Sequence, residues 1–469
     1  MEADRTSMEA PACPGCAQRD RRIAQLENQV AQLQGRIARL EEQIVALSRS
    51  AKRQAAPFSK GPPKTDPKKP GRKSGKDYGT PACRAVPTQI DEVLEAPLPD
   101  RCDCGGTIVS DAIEHQYQTE IPRKPIHRQF NIHIGHCQRC GERVQGRHPF
   151  QTSDALGCCA SQLGPDAQAA IVHLNKDAGL SQGKISVLFS TVFGIPLTRG
   201  GGCQAMLRAA GRCLPHYHAI LLHVATAPWI VPDETGWRIG GGPAWLHTFV
   251  TEHAVAYLVA RQRGLLASAR IIPDDYDGVL VHDGFKSYQR FFSATHQTCN
   301  NHLLRRCHER LAVAKGGAVV FPRRAQAILK QGLEIRDRRD AGEISAKMAA
   351  RKADKLQERM AELTEAVKTN PDNERLAAHL FGQQRYLFNY LRIEGIDATN
   401  YRAEQALKMP IVNRKVWGGN RTEDGAAAQG ILASVLKTVA LCGRRAIDWI
   451  SGLLRDPAGT PLLVPLPAG

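Results

Sequence analysis

The chain has 469 residues and a formal net charge of +17. This length exceeds one simple core and favours about two to four domains. The cationic excess favours nucleic acid over a membrane surface as partner, since no apolar run has the length of a bilayer span and the N-terminus lacks the pattern of a signal peptide. We therefore expect a cytoplasmic protein, in which the fourteen cysteines indicate metal binding rather than disulfides.

The first pattern is a heptad repeat, which predicts a leucine-zipper coiled coil over residues 20–48. Its apolar positions alternate spacings of three and four: Ile23, Leu26, Val30, Leu33, Ile37, Leu40, Ile44 and Leu47. A β-branched residue at every a position and Leu at every d position favour a parallel two-stranded coil, in which Arg36 faces Glu41 of the partner helix. We expect a homodimer or higher oligomer; the alternative is an amphipathic helix packed on its own domain.

A basic flexible linker is predicted for residues 49–80, because the segment is rich in Lys, Arg, Pro and Gly and has almost no core-forming residues. Four of its cations are candidates for contacts along phosphates or in a minor groove: Lys68, Lys69, Arg72 and Lys73. A solvated tether that does not contact DNA explains the same composition equally well.

Two cysteine pairs predict a zinc-ribbon-like module over residues 95–150. One pair is Cys102 and Cys104, and the other is Cys137 and Cys140 in a C-x-x-C spacing. A glycine after each pair permits a tight turn, and four thiolates suit tetrahedral Zn²⁺. The first pair is one residue shorter than usual, and four ordinary buried cysteines are the alternative.

Residues 160–227 have a helical pattern with a Gly-containing turn, the layout of a helix-turn-helix DNA-binding segment. Simple helical packing gives the same pattern, and the sequence does not separate the two interpretations.

From Trp229 onward the apolar period changes to two, and elements alternate in a definite order. APWIVPD, AWLHTFVT and AVAYLVA read as strands, followed by a short helix in RGLLASARII, a strand GVLVHD ending at Asp283, a helix FKSYQRFF and a strand HQTC. This is the layout of a ribonuclease-H-like core, in which the first and fourth strands are neighbours, so Asp233 and Asp283 would meet. We predict a multidomain α/β protein with this catalytic domain over 228–425, a helical insertion over about 312–395, and a C-terminal helical tail over 426–469.

A third acid, Glu404, lies in the first turns of a predicted helix capped by Thr399 or Asn400. Three carboxylates suit two Mg²⁺ or Mn²⁺ ions about 4 Å apart, which would activate a water or 3′-hydroxyl for in-line phosphoryl transfer. Glu234 is a rival ligand to Asp233, but neighbouring residues of a strand face opposite sides. We therefore expect Glu234 to point away from the metals.

Several stretches resemble the insertion sequence sixty-six family of DDE transposases, in order and over nearly the whole chain: PDETGW, HDGFKSY, CNNHLLRRCHE, TNYRAEQAL and NRKVWGGNRTEDGAAA. The resemblance implies a catalytic triad of Asp233, Asp283 and Glu404, dependence on Mg²⁺, and double-stranded DNA of insertion-element ends and target as substrate. It leaves open whether accessory proteins take part. Gln405 departs from the family, which usually has Arg after the catalytic Glu, so a phosphate contact would be lost or passed to Arg402 or Lys408.

Further cations near the triad are candidates for contacts to the DNA backbone: Arg305, Arg306, Lys408, Arg414, Lys415 and Arg421. For the Cys299-x-x-His302 pair, a packing role is favoured over zinc binding. Two rival functions stay open beside DNA cleavage and strand transfer. One is a ribonuclease-H-like nuclease without strand transfer, and the other is a non-catalytic DNA-binding regulator that uses the zipper, linker and ribbon.

Overall fold

A computed structural model of the chain describes residues 14–52, 86–97, 99, 101, 106–107, 113, 115–119, 124–151, 153–156 and 162–464. The chain divides into two compact units, Met1–Ala85 and Val86–Gly469. Six residues with predicted roles lie outside the described part: Lys68, Lys69, Arg72, Lys73, Cys102 and Cys104.

The first unit contains one long helix, α1, over Pro14–Lys52. Six residues of the predicted seam are 44–56% exposed: Ile23, Leu26, Val30, Leu33, Ile37 and Leu40. The heptad segment is therefore helical and presents an apolar stripe within this chain, while its pairing with a second copy stays a prediction.

The second unit contains a small hairpin of β1, Ile134–His136, and β2, Arg143–Gln145. The two strands are antiparallel, with His136 opposite Arg143. Of the alternating segment HRQFNIHIGHC, only this last part forms a strand.

Three helices follow, as the helical pattern predicts: α2, Pro165–Lys176; α3, Gln182–Phe193; and α4, Arg199–Ala225. The turn between α3 and α4 starts at Gly194, which has a left-handed backbone and ends α3. The hydroxyl of Thr198 then caps α4 by accepting the Gly201 N–H. Ile171, Ile185, Phe189 and Ala205 form a core shared by the three helices.

A five-stranded mixed sheet occupies the centre of this unit. Its strands are β3, Trp229–Ile239; β4, Gly242–Val250; β5, Val255–Ala260; β6, Val279–His282; and β7, Thr295–Thr298, with the short helix α5, Leu265–Ser268, between β5 and β6. The spatial order is β5-β4-β3-β6-β7, antiparallel from β3 to β5 and parallel from β3 to β7.

The helix predicted for FKSYQRFF is wrong. Only a short 3₁₀ turn, Tyr288–Arg290, forms there. Tyr288 and Phe291 are both buried in the core beneath the sheet, and this packing overrides the local helix propensity.

The remaining chain is helical: α6, Asn300–Val313; α7, Val320–Asp340; α8, Ala346–Glu365; α9, Pro371–Gly382; α10, Tyr401–Trp417; α11, Glu423–Leu441; and α12, Ala446–Arg455. The fold is thus mixed α/β with a helical majority. The boundary predicted at residue 426 falls inside α11, whose Leu432 and Val435 are fully buried. Within the described residues no single helix is long and apolar enough to cross a membrane; α11 and α12 pass that test only as a pair bent by 118°.

Helices cover both faces of the sheet. Val231 of β3 belongs to a core shared with α6–α10, whereas Ile230 belongs to a core on the other face that includes residues of α4, α11 and α12. Two adjacent residues of one strand therefore face two separate cores.

Helical segments also close both edges of the sheet. At β5, the N–H groups of Val255 and Tyr257 donate to the hydroxyls of Thr438 and Ser434 in α11, at 3.1 and 2.8 Å. The close approach requires Gly430, where a Cβ would lie 2.9 Å from the Tyr257 carbonyl oxygen. At β7, the Asn389 amide donates to the carbonyl of His296, at 2.7 Å.

Candidate active site

Asp233 lies in β3 and Asp283 directly follows β6, and these two strands are neighbours in the sheet, as the sequence predicts. β3 and β6 are parallel neighbours with Trp229 opposite Val279 and Ile230 opposite Leu280. Continuing this register places Asp283, the residue after β6, level with Asp233. β3 does not end at Asp233, however, since it continues to Ile239 along β4.

Backbone amides fix one oxygen of each aspartate. The Glu234 N–H donates to Asp233 Oδ1 at 2.8 Å, and the Phe285 N–H donates to Asp283 Oδ1 at 2.8 Å. The Asn400 amide donates to the second oxygen of Asp233, Oδ2, at 3.3 Å. These contacts orient both carboxylates, and none of them brings a positive charge.

Burial raises the pKa of Asp233 to about 7. The Glu234 N–H opposes this rise, but the charges of Asp283, Glu234 and Glu404 add to it. The carboxylate of Asp233 therefore lies in a low-dielectric environment among like charges, which is where a cation would be bound most strongly.

Glu404 approaches the two aspartates from α10. Asn400 is the N-cap of this helix, but its side chain makes no capping hydrogen bond and turns to Asp233 instead. The Glu404 side chain is 45% exposed, and its Oε1 lies 3.9 Å from Nε2 of His302. Burial lowers the pKa of His302, so this contact with Glu404 involves a largely neutral imidazole near pH 7.

Several long-range contacts fix the position of α10. Pro410 lacks the N–H that would bond to the Ala406 carbonyl, and the buried Tyr257 hydroxyl donates to that carbonyl at 2.7 Å. The Asn413 amide donates to the Lys176 carbonyl at 2.9 Å. α10 is therefore held by hydrogen bonds to both the sheet and α2, and these fix the backbone position from which the Glu404 side chain extends.

Glu234 lies on the opposite face of β3, as the alternation of the strand predicts. Its Oε1 accepts from Nε of Arg263 at 3.0 Å, and its Oε2 accepts from the Tyr288 hydroxyl at 2.7 Å. The Arg263 guanidinium is stacked between the rings of Trp245 and Phe285, 4.6 and 4.4 Å from their centroids. Glu234 is thus fully engaged in an ion pair and packing.

The donor set suits a hard divalent cation, although the three carboxylates do not converge. Asp233, Asp283 and Glu404 offer oxygen ligands of the kind that Mg²⁺ and Mn²⁺ prefer. In the part of the chain that the structure describes, no three His, Cys, Asp or Glu residues form a group that would hold a metal. Like charges repel, so Glu404 stays half exposed beside His302 rather than joining the aspartates. The oxygen chemistry of the three side chains nevertheless fits the cation.

Sequence reasoning missed the buried pair His282 and His296 beside Asp283. His282 Nε2 lies 3.2 Å from His296 Nδ1, His282 Nδ1 accepts the Gly284 N–H at 3.0 Å, and His296 Nε2 lies 3.1 Å from the Phe291 carbonyl. The chain of contacts is consistent with two neutral rings, each with one fixed tautomer. His282 thereby positions the backbone directly after Asp283. The only sequence signal is the position of His282 at the end of a buried strand, directly before the acid.

The predicted DNA-contacting cations differ in their surroundings. Five are exposed: Arg305, Arg306, Lys408, Lys415 and Arg421. The sixth, Arg414, is half-buried, and its guanidinium donates to the Thr235 hydroxyl at 3.1 Å and to the Gly236 carbonyl. Arg414 therefore joins α10 to β3. Arg402, considered as a substitute for the missing Arg at Gln405, pairs with Asp397 at 2.9 Å.

Cys299 and His302 are not grouped as ligands of a metal. Cys299 is fully buried and directly precedes α6, and Cys307 is also fully buried. These positions fit the packing role that the sequence favours.

The Cys137–Cys140 pair forms a tight turn between β1 and β2. The Gly141 N–H donates to the Cys137 carbonyl at 2.8 Å, and Gly141 has a positive φ of 73°. The N–H groups of Cys140 and Arg139 bond to the Cys137 sulfur and lower the pKa of that thiol. An isolated antiparallel bridge joins Arg101 to Thr107.

Two comparisons with known proteins bear on this site. A family model described as "Transposase IS66 family" matches residues 160–428, a range that contains all three acids and the whole sheet. A search of curated proteins finds no match.

Proposed function

Because the chain belongs to the IS66 family of transposases, we propose that it cleaves DNA at the ends of an insertion element and joins them to a target by in-line phosphoryl transfer. The observation that carries the proposal is the parallel pairing of β3 with β6, because Asp233 lies in β3 and Asp283 directly follows β6. The strand order β5-β4-β3-β6-β7, with two antiparallel pairings on one side of β3 and two parallel pairings on the other, supports a ribonuclease-H-like core.

We infer that Asp233, Asp283 and Glu404 would hold Mg²⁺ or Mn²⁺. When bound, such ions supply charge neutralisation at the attacking and departing oxygens. The chain's own contribution is orientation. The Phe285 N–H and the Asn400 amide aim the aspartates, and the anchoring of α10 sets the reach of Glu404.

Two further parts of the proposal concern the N-terminal modules. The turn at Cys137 and Cys140 fits half of a thiolate zinc site, which Cys102 and Cys104 would complete; zinc content of Cys137→Ser/Cys140→Ser protein should fall from one equivalent to none. The seam of α1 would pair two copies, and Leu26→Glu/Leu33→Glu protein should be a monomer by light scattering. Zinc retention or an unchanged mass would contradict the respective assignment.

One assay tests the catalytic proposal. Full-length protein is incubated with Mg²⁺, a target plasmid and a DNA segment carrying both ends of the element that encodes the chain. We expect joined products from the native protein and from the exposed-loop control Asp275→Asn. We expect none from Asp283→Asn, which should still bind the DNA.

The rival functions give different products in the same assay. Nicked DNA without joined products would support a nuclease that lacks strand transfer. DNA binding by the native protein without any cleavage would support a non-catalytic regulator. Joining by Asp283→Asn would show that the acids are assigned wrongly.

A further inference from the structure

α4 carries an exposed polar stripe over the N-terminal half of its length. Gln204, Arg208 and Arg212 are spaced by four residues and all are exposed, so they share one face of the helix. Among the described residues none of these three side chains makes a hydrogen bond or an ion pair. The opposite face, including Ala205 and Ala209, is buried.

The stretch of sequence that contains this stripe carries charges of a single sign. Residues 178–232 contain no Asp or Glu, although the chain as a whole has 46 such residues. In the helices after β7, by contrast, many arginines are paired with acids, as Arg310 is with Asp372 at 2.6 Å and Arg392 with Asp354 at 2.8 Å. The cations of α4 lack the internal partners that those arginines have, which favours an external polyanion.

A second feature lies at the start of the stripe, where the N-termini of α3 and α4 line one open groove of about 380 Å³. Lys184 and Arg199 line it together with Ser181, Gly183 and Val187. The first turn of α4 is Arg-Gly-Gly-Gly, and a Cβ at Gly200 would meet nothing within 4 Å. Two helix N-termini, two cations and an unobstructed backbone suit a phosphate of a nucleic-acid strand.

α4 is also rigidly joined to the sheet. The C-terminal half of the helix buries Cys213, Ile220 and Val224 in the core that contains Ile230 of β3. α4 ends at Ala225, and β3 begins at Trp229, four residues before Asp233. A duplex held by the stripe would therefore have a fixed position relative to the two aspartates.

We propose that α3 and α4 bind duplex DNA, with a backbone phosphate at the paired helix N-termini and with Gln204, Arg208 and Arg212 contacting base edges in the major groove. The proposal rests on the transposase function and adds to it the surface that would recognise a DNA sequence. Arg and Gln are the side chains best suited to bidentate contacts with guanine and adenine, respectively. Lys184 and Arg199, at the groove, would contribute affinity without sequence preference.

The test separates reading of bases from attraction of charge. Full-length protein, without divalent metal, selects duplexes from a library with a randomised central segment, and binding of the enriched duplex is compared with a scrambled one. Arg208→Lys/Arg212→Lys keeps both charges but loses the guanidinium fork. We expect this variant to lose about tenfold or more of the discrimination while binding the scrambled duplex almost normally.

Two matched variants complete the design. Lys184→Ala/Arg199→Ala should weaken binding of both duplexes alike and reduce the salt-dependence slope by about two. Arg323→Ala/Arg351→Ala removes two exposed charges from α7 and α8 and should change neither discrimination nor the enriched sequence. Circular dichroism checks that each variant is folded.

The inference is overturned if the native protein enriches no sequence, if Arg208→Lys/Arg212→Lys discriminates as well as the native protein, or if the α7–α8 control loses discrimination equally. Preferential binding of single-stranded RNA over duplex DNA would likewise overturn it. None of these outcomes depends on cleavage, so the catalytic proposal is judged separately by the joining assay.

Discussion

Asp233 and Glu234 are consecutive acids of one strand, yet the two faces of the sheet give their carboxylates opposite surroundings. Glu234 is 4% exposed and is matched by the Arg263 guanidinium and the Tyr288 hydroxyl. Within the described part of the chain, Asp233 accepts hydrogen bonds only from a backbone N–H and the Asn400 amide, and burial raises its pKa to about 7.

The difference teaches how to distinguish a structural acid from a functional one. A buried carboxylate with a cation and a hydroxyl as partners is explained by the fold. A buried carboxylate that lacks such partners and lies near two other acids lowers the stability of the fold, so its presence indicates function. In the sequence PDETGW it is ambiguous which of the two acids is functional. The hydrogen-bond and charge partners on each face of the sheet distinguish them.

The largest expected effect comes from Asp233→Asn. Cleavage and joining should fall by at least about a thousandfold, because the amide cannot replace an anionic ligand. The metal-free protein should nevertheless melt at the same temperature or a few degrees higher at pH 8. Because its pKa is raised, Asp233 of the native protein keeps its proton between about pH 4 and 7, whereas the unfolded chain has lost it. The stability of the native protein therefore falls as the pH rises through that range.

Calorimetry in the presence of a chelator measures this difference, with Asp275→Asn as control. A marked drop in melting temperature for Asp233→Asn would mean that Asp233 stabilises the fold, as Glu234 does, and the distinction between the two acids would be wrong.

Glu234→Ala should have the reverse effects, a loss of stability with little loss of activity. It leaves the Arg263 guanidinium and the buried Tyr288 hydroxyl without their partner, which should cost about 2–3 kcal/mol of unfolding free energy. Arg263→Ala/Glu234→Ala should cost less than the sum of the single substitutions, as denaturant unfolding would measure. Cleavage should stay within about tenfold of native below the melting temperature. Complete loss of cleavage in a folded Glu234→Ala protein would place Glu234 among the ligands.

The smallest effect concerns a buried group of opposite charge. Lys176 is buried, with Nζ donating to Gln429 at 2.7 Å and lying 5.2 Å from the Trp417 ring centroid. Burial lowers its pKa from 10.5 to about 7. Between these pH values the unfolded chain holds a proton that the folded chain has lost, so this lysine makes stability rise with pH.

Lys176→Met removes that dependence. Its melting temperature relative to native protein should decline as pH rises from 7 to 10, by a few degrees. The exposed Lys347→Met serves as control and should track the native protein throughout. An unchanged difference across this range would mean that Lys176 stays charged when buried.

The sequence predicted the order of the strands because alternation of apolar residues is a local signal. The ribonuclease-H-like order of these elements predicted that the strands before Asp233 and Asp283 would be neighbours, and strand alternation predicted that Glu234 would face away. It failed for FKSYQRFF, where burial of Tyr288 and Phe291 outweighs helix propensity.

Other features of the site depend on residues distant in sequence, and no local pattern reveals them. Arg263 finds Glu234 only because both flank the same face of the folded sheet. The Tyr257 hydroxyl replaces the hydrogen bond that Pro410 removes from α10, across 149 positions of the chain. Asn400 reads as a helix cap in sequence, but its side chain contacts Asp233.

The closed edges of the sheet limit how copies of this chain can associate. An exposed edge strand invites another strand to add to it, which leads to swapped or aggregated assemblies. Here the hydroxyls of Thr438 and Ser434 accept the N–H groups of Val255 and Tyr257 in β5, and the Asn389 amide donates to the His296 carbonyl in β7. Addition of a strand from another copy at these two edges is therefore disfavoured, and we expect copies of the chain to associate through side-chain surfaces.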